Sequence, residues 1–363
     1  MLKNPFTPTF GSVPLLLAGR EKPIADVIEG LDNSPGDPNR ATIYTGPRGS
    51  GKTVLLRKIE EEAQQIGWIS VGVTAIPGLL KKITQKVRIA ASDFITEPSK
   101  SRITSIRVSG TGFTREFVHQ DELDWELQMD IILGELNEQG IGLLITVDEA
   151  SASVPELIEL IAAFQHFVGQ KRDIALIMAG LPQQIDQLFM NESVSFLRRA
   201  LRRPLGTLNA SDVRYIIKKT IELSGKSIEE KALDAAADAS GGLPIMVQLI
   251  GYHIWREASG DVIKLDDIKG GVSSARLDLR HMVLDTVLFD LTETERSFLD
   301  AMLMDKGASA IGDIALRMGT SRNNATNYRR RLLDKGIISS KSRGKVSFAM
   351  PMLKELLEEE LGD

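Results

Sequence analysis

Eight consecutive residues, Gly46-Pro47-Arg48-Gly49-Ser50-Gly51-Lys52-Thr53, satisfy the pattern GxxxxGK[ST] in full. Glycines at this spacing let backbone N–H groups turn inward around phosphate oxygens, and a helix that begins here adds the positive end of its dipole. Lys52 then reaches the β- and γ-phosphates of ATP, and the Thr53 hydroxyl is offered to Mg2+. Further along, the apolar run Leu143 to Val147 ends in Asp148 and Glu149, with Asp148 96 residues after Lys52. A buried strand ending this way delivers Asp148 to the metal ion and Glu149 to the water that attacks the γ-phosphate. Lys52 and Glu149 are therefore the candidate catalytic residues, and Thr53 and Asp148 the candidate metal ligands.

Two basic stretches carry a second kind of chemistry. Arg198, Arg199, Arg202 and Arg203 lie in SFLRRALRRPL. They read either as a solvated helix face or as the source of an arginine finger, with Arg199 standing for the four, that stabilises charge on a neighbouring subunit's nucleotide. Near the C-terminus, Arg322, Asn323, Asn324, Asn327 and Arg330 share the exposed face of an expected helix, and Lys341, Arg343 and Lys345 flank a turn at Gly344. Arg and Asn pair with guanine and adenine edges, and basic side chains on a hairpin tip suit phosphate or minor-groove contact. From Ser321 to Lys345 the local charge is +7, against −5 for the whole chain, so a basic module rides on an acidic body. A third stretch, Ile103 to Val118, alternates around Gly110-Thr111-Gly112 and carries Arg102, Arg107 and Arg115. It reads as a packing hairpin or as a DNA-contacting insertion.

Composition narrows the field. The 363 residues include no cysteine, which excludes disulfides, thiol chemistry and thiolate-held metal clusters. The four histidines, His119, His166, His253 and His281, are too scattered for a motif such as HExxH. The apolar run Val13 to Ala18 is broken by Pro14 and falls far short of the roughly 18–20 residues that span a bilayer. The expectation is a soluble, cytoplasmic protein with no membrane partner.

The elements that must position these residues follow from periodicity. Ala41 to Thr45 is β-rich, and Leu55, Ile59, Ala63 and Ile66 then recur at helical spacing, giving strand, loop and helix around the glycine-rich stretch. A strand at Trp68 to Thr74, a helix around Leu79 to Ala91, buried strands at Gly142 to Val147 and Ile174 to Ala179, and a helix at Pro155 to Phe167 continue the alternation. Strands interleaved with helices predict a parallel sheet covered on both faces. Beyond Pro204 the pattern turns helical to about Leu288, with capping-box spacings at Ser227/Glu230 and Thr292/Glu295. Helices at 293–304, 311–318 and 321–335, then a β-like stretch at 337–349, outline a winged helix-turn-helix.

With these pieces in order, the chain resembles the origin-recognition (initiator-like) clade of AAA+ ATPases and related archaeal-type ATPases that end in a winged helix. Pro14 followed by Gly19-Arg20-Glu21 is similar to the segment that this clade folds against adenine, which implies Gly19 and Arg20 as nucleotide contacts. The resemblance implies an α/β P-loop NTPase core at residues 1–205, a helical lid at 206–288 and a winged helix-turn-helix at 289–363. Two features depart from true initiators. Gly180-Leu181-Pro182 stands where a polar sensor residue is usual, and Gly242-Leu243-Pro244 where a sensor arginine is usual. The Gly-x-Pro of the lid is similar to that of the signal-transduction (STAND) ATPases, which implies slow turnover and adds Pro244 to the nucleotide contacts. The expected function is an ATP- and Mg2+-dependent switch that binds double-stranded DNA, self-associating with nucleotide. The alternative is a regulatory ATPase whose winged helix docks a protein partner.

Overall fold

The computed structural model describes residues 2–9, 11–95, 102–109, 112–118, 124–284, 289, 291–342, 344–350 and 352–362. Its first part alternates helix and strand: α1 (Glu21–Asp32), β1 (Ala41–Thr45), α2 (Lys52–Gln65), β2 (Ile69–Thr74) and α3 (Leu79–Ala90). The paired strands β3 (Arg102–Ser109) and β4 (Gly112–Val118) intervene, antiparallel to each other. Gly110 and Thr111, at the expected turn, lie outside the described residues. The alternation resumes with α4 (Trp125–Glu138), β5 (Leu143–Asp148), α5 (Pro155–Gly169), β6 (Ile174–Gly180), α6 (Pro182–Met190) and β7 (Leu201–Pro204).

Five of these strands form one parallel sheet in the order β2-β5-β6-β1-β7. The continuous apolar runs have a simple cause. Every residue of β6 is buried, and successive residues point to opposite faces. Leu176 and Met178 join Ile43, Ile145 and Val147 on the face covered by α3, α4 and α5. Ala175 and Ile177 join Tyr44 and Leu144 on the face covered by α1 and α2. Full burial of each such Leu or Ile contributes about 1.5–3 kcal/mol, so the sheet's two faces hold the core together. Asp148 and the glycine-rich loop after Thr45 consequently emerge at the same carboxyl edge of the sheet, where open α/β sheets bind ligands.

The strand β7 departs from expectation. Ser195 to Leu205 is not a helix face: a 3-10 segment, Glu192–Arg199, is followed by an edge strand paired in parallel with β1. The edge of β1 offers unpaired backbone groups, and the alternation of half-buried Leu201 and Arg203 with exposed Arg202 and Pro204 suits a strand.

A helical segment follows: α7 (Ala210–Leu223), β8 (Ser227–Ile228), α8 (Glu230–Ala239), α9 (Pro244–Glu257), β9 (Val262–Ile263) and α10 (Leu265–Leu279), then a π-helical turn at Arg280–Leu284. Ser227 does not cap α8. It lies in β8, paired in parallel with β9, and Glu229 takes the N-cap position without a side-chain cap. The last part comprises α11 (Glu293–Leu303), β10 (Ser309–Ala310), α12 (Ile311–Arg317), α13 (Arg322–Asp334), β11 (Ile338–Ser342), β12 (Lys345–Phe348) and α14 (Leu353–Gly362). Its strands form an antiparallel sheet in the order β10-β12-β11. Thr292 does cap its helix reciprocally: Glu295 N donates to Thr292 Oγ1 at 3.3 Å and Thr292 N to Glu295 Oε2 at 3.0 Å. One apolar cluster runs without a break from Phe6 through α7–α10 into this last part, ending at Leu357. Among the described residues, no helix is long and apolar enough to cross a membrane.

The keystone beneath the sheet is Arg40, only 3% exposed. Its Nε donates to Gly30 O at 2.8 Å, its Nη2 to Leu31 O at 2.8 Å and to Asn33 O, and its Nη1 to Asp173 Oδ1 at 2.9 Å. One guanidinium thus satisfies the orphan carbonyls at the end of α1 and ties that helix to the start of β6. Replacing it leaves a carboxylate and three carbonyls without their donor. Arg40→Ala is expected to lower unfolding free energy by about 3 kcal/mol, read from the urea midpoint at unchanged slope.

Candidate functional site

The loop from Gly46 to Gly51 connects β1 directly to α2, whose first residue is Lys52. Gly49 and Gly51 hold φ of +76° and +86°, the left-handed region that other residues avoid, and they turn the backbone around the helix N-terminus. Gly46 is needed for closeness, since a Cβ there would lie 2.6 Å from Ser50 Oγ and 2.7 Å from Leu205 O. Lys52 is 6% exposed and donates from Nζ to Gly46 O at 3.0 Å and Pro47 O at 2.9 Å. Burial pushes its ammonium below the ordinary lysine value, and the carboxylates of Glu149 and Asp148 oppose that push. Ser50 Oγ is buried with no hydrogen-bond partner among the described residues. An orphaned hydroxyl between two left-handed glycines, beside a desolvated ammonium, fits an anion with several acceptor oxygens.

The acidic pair stands next to this loop. Thr53 Oγ1 donates to Asp148 Oδ2 at 2.5 Å, and Asp148 Oδ1 accepts from Glu149 N at 2.9 Å. Glu149 itself adopts φ +54°, a strained conformation for a side chain of its size, and lines the cavity described next. A third carboxylate was not legible in the sequence. Glu60, two turns along α2 from Thr53, accepts from Thr146 Oγ1 on β5, and burial pushes its carboxyl above the usual range.

A cavity of about 660 Å³ opens from the loop. Arg48 to Val54 form one end. Thr7, Pro14, Leu16, Leu17 and Arg20 are among the residues of a second wall, and Leu208, Ile216, Pro244, Ile245, Val247 and Gln248 form the third. Its size and mostly apolar lining suit a nucleoside as well as phosphates. Pro244 opens α9 and meets the loop at Gly51, while Ile245 lies against Gly49. Gly19 holds φ +73° and lies so close to α7 that a Cβ would meet the Asp212 carboxylate at 2.5 Å. Arg20, 9% exposed, donates from Nη2 to Gly206 O at 2.6 Å and to Ser50 O at 3.4 Å, so it braces the phosphate loop from behind while lining the cavity. Thr7, Gln248, His281 and Met282 also line it and were missed by sequence reasoning, because none belongs to a motif.

Comparison with known proteins fits this geometry. Residues 37–189 match the AAA domain family, and residues 282–357 match a domain family of unknown function, DUF8462. A Walker-type ATPase of Pyrococcus abyssi superposes with a TM-score of 0.68, at 14% identity, over 94% of this chain and 96% of that one. The ORC2 protein of Aeropyrum pernix, solved in ADPNP–ADP complexes, superposes with a TM-score of 0.64, at 14% identity, over 98% of each chain. The fold is the α/β P-loop fold that these AAA-type ATPases share. No curated protein matches the sequence.

In this AAA+ fold the four border arginines have separate fates. Arg198 donates to Phe189 O at 3.2 Å, Arg202 pairs with Asp186 at 2.5 Å over the Phe189 ring, and Arg203 pairs with Asp26 and Asn39. Arg199 is exposed and has no hydrogen-bond or ion-pair partner among the described residues. At the far end of the chain, Arg322, Asn323, Asn324, Asn327 and Arg330 are exposed on α13, whose buried residues are Ala325, Leu332 and Leu333. Lys345 is exposed at the start of β12, and Lys341 falls at a register shift in β11. Arg343 lies outside the described residues.

The brace at Arg20 is separable from nucleotide contact. Arg20→Ala is expected to lower stability by about 2 kcal/mol in nucleotide-free buffer, since charged hydrogen bonds to two backbone carbonyls are lost. A thermal scan of the apo chain checks it.

Proposed function

We propose that the chain is a cytoplasmic ATP-binding switch, slow in hydrolysis, whose C-terminal part binds double-stranded DNA according to nucleotide state. The observation that carries it is the hydrogen bond from Thr53 Oγ1 to Asp148 Oδ2 beside the orphaned Ser50 hydroxyl. These groups form the protein side of a site for a triphosphate with its metal ion. Mg2+, held by Thr53 and Asp148, would neutralise charge building on the phosphates. Lys52 would exchange its two loop carbonyls for phosphate oxygens, and Glu149, turned into the cavity, would orient water and accept its proton. The Gly180-Leu181-Pro182 segment provides no polar side chain at the end of β6, which supports slow turnover.

In this reading residues 1–205 form the ATPase core, 206–288 a lid and 289–363 a winged helix-turn-helix. Arg199 is the arginine left to reach a second copy's nucleotide. The exposed Arg and Asn side chains of α13 supply base and phosphate contacts, with Lys341, Arg343 and Lys345 on the wing. Coupling between the halves has a physical route, because His281 and Met282, in the turn that leads from the lid to this part, line the same cavity as the phosphate loop. A protein-docking role is the second reading. Leu316 at 82% and Met304 at 72% exposed leave apolar surface on the same part of the chain.

Two measurements test these halves. Lys52→Ala is expected to weaken ATP binding at least about tenfold by calorimetry, through loss of charge-assisted contacts to phosphate. In gel shifts with generic duplex DNA, an ATP analogue and ADP should give affinities differing by roughly 5–150-fold, and binding should weaken steeply with salt. Folded protein that binds no DNA in any nucleotide state assigns the C-terminal part to a protein partner.

A further inference from the structure

The far wall of the cavity is more elaborate than an apolar slot requires. The segment before residue 9 is fastened to α9, its later residues meeting earlier residues of the helix. Asn4 Nδ2 donates to Tyr252 O at 2.8 Å, and Asn4 Oδ1 accepts from Phe6 N at 3.1 Å. Phe6 is 2% exposed and rests on Gly251, where a Cβ would lie 2.3 Å from its ring. A glycine inside a helix is unfavourable relative to alanine, and here it makes room for that one ring. The consequence is that Thr7, the next residue, is held against α9 at the cavity wall, and Thr7 N donates to Gln248 Oε1 at 3.1 Å.

Two polar groups are left over. Thr7 Oγ1 is buried and has no hydrogen-bond partner among the described residues. With Gln248 Oε1 engaged by the Thr7 amide, Gln248 Nε2 is the amide atom left to donate. Both residues line the cavity. A buried hydroxyl without a partner is unfavourable, so its retention beside an apolar wall points to a ligand atom.

Position identifies which part of the ligand. Pro244 stands over Gly51 at the phosphate end. Gln248 lies one helical turn further along α9, about 6 Å along its axis, and the cavity it lines is also lined by Pro14, Leu16, Ile216 and Val247. Apolar walls with a polar pair at one side suit the flat face and polar edge of a purine.

We propose that Thr7 and Gln248 are the specificity pair of the nucleotide site: the Thr7 hydroxyl accepts from the 6-amino group of adenine, and Gln248 Nε2 donates to an adjacent ring nitrogen. The assignment rests on the nucleotide-binding reading above and names the groups by which that site recognises its base. It gives the segment before residue 9 a direct part in ligand selection, with Asn4 and Phe6 anchoring that segment to α9.

The test is calorimetric titration of the full chain with ATP, with purine riboside triphosphate, which lacks the 6-amino group, and with inorganic tripolyphosphate. The wild-type chain should bind ATP about tenfold more tightly than the purine analogue. Thr7→Val, nearly the same shape without the hydroxyl, should bind the two nucleotides equally and leave tripolyphosphate affinity unchanged. Thr7→Ser, which keeps the hydroxyl, should keep the discrimination. Discrimination that survives in Thr7→Val, or that is already missing in the wild type, overturns the assignment and leaves nucleotide binding standing. A wild-type chain that binds neither ATP nor tripolyphosphate overturns the nucleotide reading and this one together.

Discussion

The hydrogen bond between the Thr53 hydroxyl and the Asp148 carboxylate fixes where the rest of the site stands. It joins the first turn of α2, which follows β1, to the end of β5, and β6 lies between those two strands in the sheet. It therefore requires the strand order, the fully buried β6 and the tight Gly46 turn all at once. Asp148 uses its other oxygen to accept from Glu149 N, and the chain leaves the strand in a left-handed conformation at Glu149. The strain at Glu149 is the local cost of turning a second carboxylate toward the cavity rather than along the strand.

Around this fixed point the cavity is assembled mainly from three stretches far apart in sequence, within residues 7–20, 48–54 and 208–248, and is completed by Glu149, His281 and Met282. Each is held by a contact that tolerates little change. Phe6 needs Gly251, Ile245 lies against Gly49, and Arg20 bridges Ser50 to Gly206. Buried Lys52 and Arg20 are both shifted downward by desolvation, so two cationic groups are kept in a low-dielectric setting around the loop. Charges in such a setting interact more strongly with an anion than they would in water.

The C-terminal part is fastened with polar contacts that leave its basic helix face open. Arg317 grips Asp305 with both Nη atoms, at 2.8 and 2.7 Å, and holds that carboxyl down to about 2. Lys335 reaches the buried Glu295 at 2.8 Å, joining the end of α13 to the cap of α11. Gln187 Nε2 donates to Asp334 Oδ1 at 2.7 Å, and Gly336 lies against Leu181, so the C-terminal end of α13 rests on the core beside the end of β6. The opposite end, with Arg322, Asn323 and Asn327, is exposed. One helix thus touches the core at one end and presents Arg322, Asn323 and Asn327 toward the other.

The sequence by itself determined the elements whose signal is local. The glycine spacing of residues 46–51 needs left-handed backbone, the β6 run needs two covered faces, and Thr292 with Glu295 closes its own capping box. Each of these depends on residues within a few positions, or on burial that composition alone dictates. Tertiary structure decided everything that depends on a partner brought from elsewhere. Arg202 and Arg203 became strand residues because the edge of β1 offered backbone partners, and Ser227 entered β8 because Asp261 to Ile263 came alongside. Asn4, Phe6, Thr7 and Gln248 carry no pattern, since their meeting requires a chain separation of more than 240 residues to close. Among the four border arginines, only packing distinguishes those engaged by Phe189, Asp186 and Asp26 from Arg199, because a carboxylate or carbonyl can claim an arginine only once the fold has placed it within reach.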